Sequence, residues 1–316
     1  MLLETGKMTV KQLLLKWLEE SAPDKAGAVT LCRYCGLVEK HIIPLIGNRK
    51  LSQLSPLHVQ SMLTSLKEKN AGEETRRYAF QVIRRAFNVA MRWGLMVRNP
   101  CSCVDAPKVV RRRINPLTVG QAKKLIEVSK DVANGAVFVL ALTTGLRKGE
   151  LLALHWEDID LNEGVISVKR SLEELKGVLR VKEPKSKSGK RLVKLPAMAI
   201  AARWAHKKWQ MANGLAACPI VFANQFGEFL RKSNFGERTW KQCRLAAGIP
   251  ATVVFHDLRH SSATYLLESG CHPKIVQERL GHSKIGLTLD TYSHLAKGMQ
   301  DRAADDMDRV LGVKLA

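Results

Sequence analysis

Apolar residues in the first hundred positions recur at the three- and four-residue spacing of amphipathic helices. Between Val10 and Glu19 the apolar side chains fall on one helical face, which predicts a helix there. The pair Ser55-Pro56 is typical of an N-cap followed by proline at the first helical position. A longer periodic stretch predicts a third helix from Glu73 to Trp93. Residues 1–105 are therefore predicted to form a helical domain.

The pattern changes after Asn99-Pro100, where proline ends the helical periodicity. Residues 106–116 are basic and carry two prolines, so they predict an extended linker. Residues 117–316 are predicted to form a second domain, which opens with a capping box from Thr118 to Gln121. Alternating, β-branched stretches predict strands in that domain at Gly164–Lys169, Leu179–Val181 and Arg191–Leu195. The predicted fold class is mainly α, with a small antiparallel β-sheet or hairpin in the second domain.

The charge balance narrows the class of partner. Lysine and arginine number 51 against 29 aspartates and glutamates, a formal net charge of +22. A globular chain this basic usually faces a polyanion, with nucleic acid the first candidate and an anionic membrane the second. No apolar run reaches transmembrane length, which argues against membrane insertion.

The cysteines favour a reducing compartment. The seven cysteines are scattered and odd in number, which favours free thiols and a cytoplasmic location over a disulfide framework. Cys32 and Cys35 form one Cys-x-x-Cys pair, but no second ligand pair follows at a spacing that suits zinc. We therefore interpret both as ordinary helix residues and expect no metal site.

Two groups of arginines are candidates for contact with DNA. Four arginines recur along the third predicted helix on one stripe without interspersed acids: Arg77, Arg84, Arg85 and Arg92. A charged stripe is often a solvated face, but the basic balance of the chain favours contact with phosphates. The linker carries a further run, Arg111, Arg112 and Arg113, and we expect it to lie along a DNA backbone.

Four short motifs carry the residues suited to chemistry. They are Thr144-Gly-Leu-Arg-Lys-Gly-Glu-Leu-Leu, His256-Asp-Leu-Arg-His, Leu280-Gly-His-Ser and Thr291-Tyr-Ser-His. Taken singly, each has an ordinary explanation. Arg147 and Glu150 suit a structural ion pair, His256 and Arg259 suit either a phosphate site or a helix start, and an isolated tyrosine is seldom a nucleophile.

In their order and approximate spacing, these motifs resemble the tyrosine recombinases, the phage-integrase family, and the resemblance extends from about Thr9 to Leu295. It implies a C-shaped clamp on DNA, made of a SAM-like helical core-binding domain and a catalytic domain. It also implies that Arg147 and Arg259 bind the scissile phosphate and that Tyr292 is the nucleophile. By the same resemblance, Glu150 supports the first arginine, and His256 and His282 are the histidines of the second and third boxes.

The family also uses a lysine from a hairpin between strands. Pro184-Lys185-Ser186-Lys187-Ser188 is similar to that hairpin, and Lys185 fits the usual position better than Lys187. The resemblance implies chemistry without a cofactor, because the 3′-phosphotyrosine keeps the bond energy and neither ATP nor a metal ion is needed. No carboxylate pair with magnesium spacing stands out in the sequence.

The expected partners are double-stranded DNA attachment sites, a tetramer of this chain in the synaptic complex, and accessory DNA-bending or excisionase proteins. An apolar stripe follows the nucleophile, and the resemblance favours its docking on a neighbouring protomer: Met299, Ala303, Met307, Val310, Leu311 and Val313. The small arm-binding domain that many phage integrases carry is expected to be absent or truncated here.

The main hypothesis is a recombinase that inserts or excises a phage or another mobile element. The alternatives are a resolvase of chromosome or plasmid multimers, a type IB topoisomerase-like enzyme, a DNA-binding relative that has lost catalysis, and an unrelated basic RNA-binding protein. The first three share tyrosyl chemistry or its ancestry, and the last would not need these motifs in this order.

Overall fold

The helices of the N-terminal region begin where the sequence carries cap signals. The Gln12 amide N–H donates to Thr9 Oγ1 at 3.3 Å, and the Thr9 N–H donates to the Gln12 side chain at 2.8 Å, a reciprocal capping box. The helices of this region are α1 (Val10–Glu20), α2 (Ala22–Lys25), α3 (Ala28–Leu37), α4 (Ile43–Ile46), α5 (Pro56–Glu68) and α6 (Glu73–Arg92). The helices predicted from Val10, Ser55-Pro56 and Glu73 are therefore confirmed.

The computed structural model describes residues 7–110, 114–160, 162–184, 187–292 and 297–312, with the backbone alone at 187, 287, 290–292 and 297–303. Contacts between Cα atoms divide the chain into two compact units, 1–112 and 113–316. In the part described, no helix is long and apolar enough to cross a lipid bilayer. Arg111, Arg112 and Arg113 lie outside the described residues.

The first unit has its own apolar core, and α6 contributes one whole face to it. Phe80, Ile83 and Phe87 of this helix are almost fully buried against side chains of α1 and α5. At this spacing a helix buries one stripe and exposes the opposite one. The exposed stripe carries the arginines that the sequence singled out.

The second unit also begins with a predicted cap. The Thr118 side chain accepts from the Gln121 N–H at 3.2 Å, and α7 follows. The helices of this unit are α7 (Val119–Val128), α8 (Ala136–Thr144), α9 (Lys148–Leu152), α10 (Ala197–Ala212), α11 (Lys232–Asn234), α12 (Lys241–Ala246), α13 (Asp257–Glu268), α14 (Pro273–Leu280), α15 (Ile285–Tyr292) and α16 (Lys297–Leu311).

Two small antiparallel sheets accompany these helices. The strands are β1 (Ile159–Asp160), β2 (Val165–Val168), β3 (Ser171–Leu175), β4 (Val178–Lys182) and β5 (Arg191–Lys194). One sheet has the order β1-β2-β5 and the other pairs β3 with β4. The mainly α fold with small antiparallel sheets, predicted from the sequence, is confirmed.

The prediction that the lysine loop joins the two strands of a hairpin is wrong. We expected the strands on either side of the loop, now β4 and β5, to pair with each other. Instead β4 pairs with β3, since Lys176 (φ 49°) and Gly177 (φ 78°) close a two-residue turn of the primed type between them. β5 pairs with β2. The loop that carries Lys185 and Lys187 therefore connects the two sheets.

An aromatic cluster packs around Phe255, the residue directly before the second motif. Phe138, Phe235 and Trp240 surround Phe255, with ring centroids 5.1 to 6.1 Å apart. Edge-to-face pairs of this kind add to the stabilisation that burial gives. Phe255 directly precedes His256 and α13, so the cluster fixes the start of that helix.

The apolar stripe of the C-terminal helix is exposed where the structure describes it. Met307, Val310 and Leu311 of α16 expose more than half of their surface. Met299 and Ala303 are described by their backbone alone, and Val313 lies outside the described residues. Docking of this stripe on a neighbouring protomer stays a prediction.

Candidate active site

Two glycines end the helices that bring the first and third motifs together. Gly145 follows α8 with φ +65°, and Gly281 follows α14 with φ +68°, a left-handed conformation that favours glycine. A Cβ at position 145 would also lie 2.5 Å from Leu280 Cδ2, so another residue there would have to displace this buried leucine as well as adopt the left-handed backbone. The glycine in each motif is therefore a steric requirement of the site.

Arg259 lies buried between these two helix ends. Its Nη1 donates to the Gly145 carbonyl at 2.6 Å and its Nη2 donates to the Leu280 carbonyl at 2.7 Å. Only 3% of the residue is exposed. Carbonyls at helix C-termini carry partial negative charge, so they hold a guanidinium well. One arginine of α13 thus connects the first motif to the third.

Arg147 is held at both ends of its fork and still reaches solvent. Nη1 donates to Glu150 Oε1 at 2.7 Å, Nη2 donates to the Gly281 carbonyl at 2.9 Å, and the main-chain N–H donates to Glu150 Oε2 at 2.9 Å. The side chain is nevertheless 40% exposed. Arg147 is therefore positioned before any ligand arrives and remains open to one.

Glu150 is a buried carboxylate with two cationic partners. Its side chain is 3% exposed, and the second partner is Arg191 of β5, whose Nη2 donates to Glu150 Oε2 at 2.9 Å. Burial acts to raise the pKa of Glu150, but the hydrogen bonds and charges of Arg191 and Arg147 outweigh it and hold this pKa below its ordinary value. The carboxylate is therefore ionised at neutral pH.

Sequence reasoning missed Arg191, although a signal for it was present. Arg191 and Val193 are two residues apart in a strand, so they point to the same face, and Val193 is buried. A charge on the inward face of a strand requires a buried partner of opposite charge. That requirement would have pointed to a carboxylate such as Glu150.

His282 lies within the field of the arginines. Its Nδ1 is 2.9 Å from Thr288 Oγ1 of α15, and its main-chain N–H donates to the Gln277 carbonyl at 3.1 Å. Burial, together with the charges of Arg259, Arg147, His260 and Arg191, lowers the pKa of His282 from 6.5 to about 4. The imidazole is therefore neutral at physiological pH.

His256 is placed differently from the buried arginine of its motif. It is the exposed N-cap of α13, and its ring meets the His260 ring edge to face, with centroids 5.1 Å apart. Arg259, three residues further, is buried. His256 of the second motif is thus exposed to solvent, whereas Arg259 is buried and connects the first motif to the third.

A cavity of about 350 Å³ adjoins Arg147 and Glu150. Pro184 and Gly189, which flank the lysine loop, both line it, together with Lys232. Lys185 lies outside the described residues, and Lys187 is described by its backbone alone, in a 3₁₀ turn at Lys187–Gly189. The flanks of the lysine loop therefore reach the first arginine.

Tyr292 is the last residue of α15, the helix that follows the third motif and carries Thr288. Its side chain lies outside the description. The contacts above bring Arg147, Glu150, Arg259 and His282 together, and the backbone places the tyrosine on the helix that touches His282.

The arginine stripe of α6 has a different character. Arg77, Arg84, Arg85 and Arg92 are all exposed. Arg85 contacts the Tyr34 hydroxyl with its Nη1 and lies over the Tyr34 ring, with its Cζ 5.9 Å from the centroid. The stripe therefore presents positive charge to solvent along one side of the first unit.

Comparison with protein families matches both units. The model of the phage integrase family matches residues 115–299, and that of the phage integrase N-terminal SAM-like domain matches residues 9–67. The tyrosine recombinase XerC-like protein of Caldanaerobacter subterraneus is 28% identical over 95% of this chain and 83% of its own length. The ICEBs1 integrase of Bacillus subtilis is 26% identical over 87% of this chain and 76% of its own length.

Solved structures give the same fold. The Tn1549 transposon integrase in complex with a circular intermediate DNA superposes with a TM-score of 0.78 at 24% identity, covering 96% of this chain and 99% of that one. A lambda integrase tetramer bound to a Holliday junction gives a TM-score of 0.69 at 21% identity, covering 91% of this chain and 78% of that one.

Proposed function

The chain belongs to the phage integrase family and is a tyrosine recombinase that acts in site-specific recombination, and we propose that it cuts DNA with Tyr292 through a covalent 3′-phosphotyrosine. One observation carries the assignment of the site. Arg147 and Arg259, from motifs 112 residues apart in the sequence, are fixed in one cluster by the carbonyls of Gly145, Leu280 and Gly281.

The arginines suit the charge that develops during cleavage. Attack on a phosphodiester passes through a phosphorane with additional negative charge on its non-bridging oxygens. Guanidinium groups give fixed, paired donors to such oxygens, and donors that are already oriented need no reorganisation in the transition state. Arg147 meets this requirement because it is held by Glu150 and Gly281 and yet is 40% exposed.

The remaining groups handle protons and the leaving oxygen. A tyrosine hydroxyl has an ordinary pKa of about 10, so a positive field and a proton acceptor assist its attack. We assign the acceptor role to the exposed His256 and a hydrogen bond to the phosphate to the neutral His282. Lys185, or Lys187 two residues later, protonates the 5′-oxygen, and the cavity beside Arg147 supports this, because both flanks of the lysine loop line it.

The reaction that fits best is insertion or excision of a mobile element. The similarity to the integrases named above favours it, while the similarity to XerC-type recombinases favours resolution of multimers as the second candidate. We propose that four copies assemble on double-stranded attachment sites in the cytoplasm, with accessory DNA-bending or excisionase proteins. In this scheme 1–105 is the core-binding domain, 106–116 the linker and 117–316 the catalytic domain.

The nucleophile is tested with a nicked suicide duplex built from the DNA that flanks the encoding gene. Wild-type protein is expected to give a covalent DNA adduct on a denaturing gel, and Tyr292→Phe none. Tyr78→Phe is the matched control, because it removes one hydroxyl from a tyrosine in the other unit. An adduct with Tyr292→Phe, or mass spectrometry that maps the DNA to another residue, would reject Tyr292 as the nucleophile.

A further inference from the structure

We propose that Arg191 is a positioning residue that fixes Arg147 in its cleavage-ready orientation without touching DNA. Arg191 opens β5 and is 7% exposed at its side chain. The inference rests on the proposed role of Arg147 at the scissile phosphate. It adds a residue that lies outside the four motifs recognised in the sequence.

Arg191 grips three separate segments with its guanidinium. Nη1 and Nη2 donate to the two oxygens of Glu150 at 3.3 and 2.9 Å, which is a paired, planar contact. Nε donates to the Arg279 carbonyl at 2.7 Å, near the end of α14, and Nη1 also donates to the Gly189 carbonyl at 3.1 Å, at the end of the lysine loop. All three guanidinium nitrogens, Nε included, therefore have acceptors within the protein, and the side chain is 7% exposed, which favours a positioning role over contact with DNA.

Through these contacts Arg191 acts on both groups that anchor Arg147 by hydrogen bonds. The first anchor is Glu150, whose carboxylate plane is fixed by the fork of Arg191. The second is Gly281, whose carbonyl accepts from Arg147 Nη2. A Cβ at position 281 would lie 2.9 Å from Arg191 Nη1, so the arginine packs directly against that glycine. Displacement of Arg191 would thus weaken both contacts that hold Arg147, the one to the Glu150 carboxylate and the one to the Gly281 carbonyl.

The charges of Glu150, Arg147 and Arg191 also favour a positioning role for Arg191. Glu150 is buried, and each of its oxygens accepts from both arginines, so the carboxylate is saturated by two cations. Without Arg191, a buried carboxylate would depend on Arg147 alone and would compete with the phosphate for its donors. With Arg191 present, Arg147 keeps an exposed side that is free to meet an anion.

A lysine cannot replace this function. Lysine keeps the positive charge but gives a point contact in place of a rigid fork. Arg191→Lys is therefore expected to leave DNA affinity within about threefold of the wild type, because the net charge is unchanged. Its cleavage rate at saturating DNA is expected to fall about 100-fold, since small errors of position cost about that much.

The test is a double-mutant cycle on the suicide duplex with wild type, Arg191→Lys, Arg147→Ala and the double variant. If Arg191 acts through Arg147, Arg191→Lys slows cleavage in the wild-type background and has little further effect once Arg147 is removed. Arg203→Lys is the matched control, because Arg203 is buried in the same unit and stacks on Trp156 and Trp204 away from the cluster. Its cleavage rate is expected to stay near that of the wild type.

Each outcome separates the possibilities. Equal cleavage by Arg191→Lys and Arg203→Lys, or additive losses in the cycle, would overturn the inference and leave the proposed function intact. Wild-type cleavage by Arg147→Ala would instead overturn the role of Arg147. Every variant is first required to show the wild-type circular dichroism spectrum. Arg191→Gln, which keeps donors without the charge, replaces Arg191→Lys in the cycle if the lysine variant fails to fold.

Discussion

The arginines of the candidate active site and those of α6 are the same residue type in opposite physical states. The side chains of Arg259 and Arg191 are largely buried and are bound by carbonyls and a carboxylate. Arg77, Arg84 and Arg92 are exposed along a helix. Ordering a long side chain costs up to about 2 kcal/mol of rotamer freedom. The site arginines meet that cost when the chain folds, whereas those of α6 would meet it only on contact with DNA.

The difference assigns each group its task. Catalysis needs donors that already point at the place where charge develops, and burial among fixed acceptors provides such donors. Affinity and search along a polyanion need charge without fixed geometry, and exposed arginines provide that. Substitutions in the two groups should therefore affect different measured quantities.

The largest expected effect is that of Arg259→Met. It leaves the buried carbonyls of Gly145 and Leu280 without their donor, so the free energy of unfolding should fall by about 2–6 kcal/mol. Cleavage of the suicide duplex by the folded fraction should fall by at least about 100-fold. Denaturant unfolding followed by circular dichroism measures the first quantity and single-turnover cleavage measures the second.

Arg84→Met is the counterpart in α6. Arg84 is exposed, so its replacement should change the free energy of unfolding by less than about 0.5 kcal/mol. Equal destabilisation by the two substitutions would remove the distinction between the groups, because it would mean that the buried Arg259 contributes no more to stability than the exposed Arg84.

How far the sequence predicts the fold also differs between the helices and the strands, for physical reasons. Helical periodicity and cap residues predicted α1, α5, α6 and α7, because those signals are local in the sequence. β3 was missed because Glu173 and Glu174 interrupt its apolar alternation, and without β3 the partner of β4 could not be found. Strand pairing depends on a turn and on long-range contacts that no local pattern encodes.

The site was predictable only as far as its motifs. Arg147, Glu150, Arg259 and His282 stand in recognisable motifs, and the structure brings them together. Arg191 stands in no such motif. Its position two residues before Val193 in a predicted strand was a signal, but its partner follows from the depth of Glu150, which needs the fold. At Gly145 the left-handed end of α8 already favours glycine, whereas the second reason, the closeness of Leu280, follows only from the fold.

A smaller effect is expected from Arg84→Ala on DNA binding. Each arginine that contacts a phosphate contributes about 0.9 to the slope of log affinity against log salt, so this variant should lower the slope by about that amount. Affinity should weaken to a similar degree on specific and on non-specific duplexes. Fluorescence anisotropy over a salt series measures both quantities.

Two further variants sharpen the α6 measurement. Arg85→Ala should lower the slope less than Arg84→Ala, since Arg85 is already engaged with Tyr34. Arg309→Ala, on the exposed C-terminal helix and paired with Asp306, is the control outside the stripe. An unchanged slope for Arg84→Ala would exclude that arginine from phosphate contact.

The smallest expected effect is a proton equilibrium within the site. His282 should remain neutral down to a pKa of about 4, because it is buried and the arginines repel a second positive charge. Between about pH 6.5 and 4 the unfolded chain binds this proton and the folded chain does not, so His282 lowers stability as the pH falls through that window. Arg147→Ala removes one repelling charge and should move the pKa upward, whereas Arg84→Ala, in the exposed group, should leave it unchanged. Histidine-labelled NMR titration measures this pKa, with the resonance assigned by its loss in His282→Gln, and a midpoint near 6.5 would show that the fixed arginines do not impose their field on this ring.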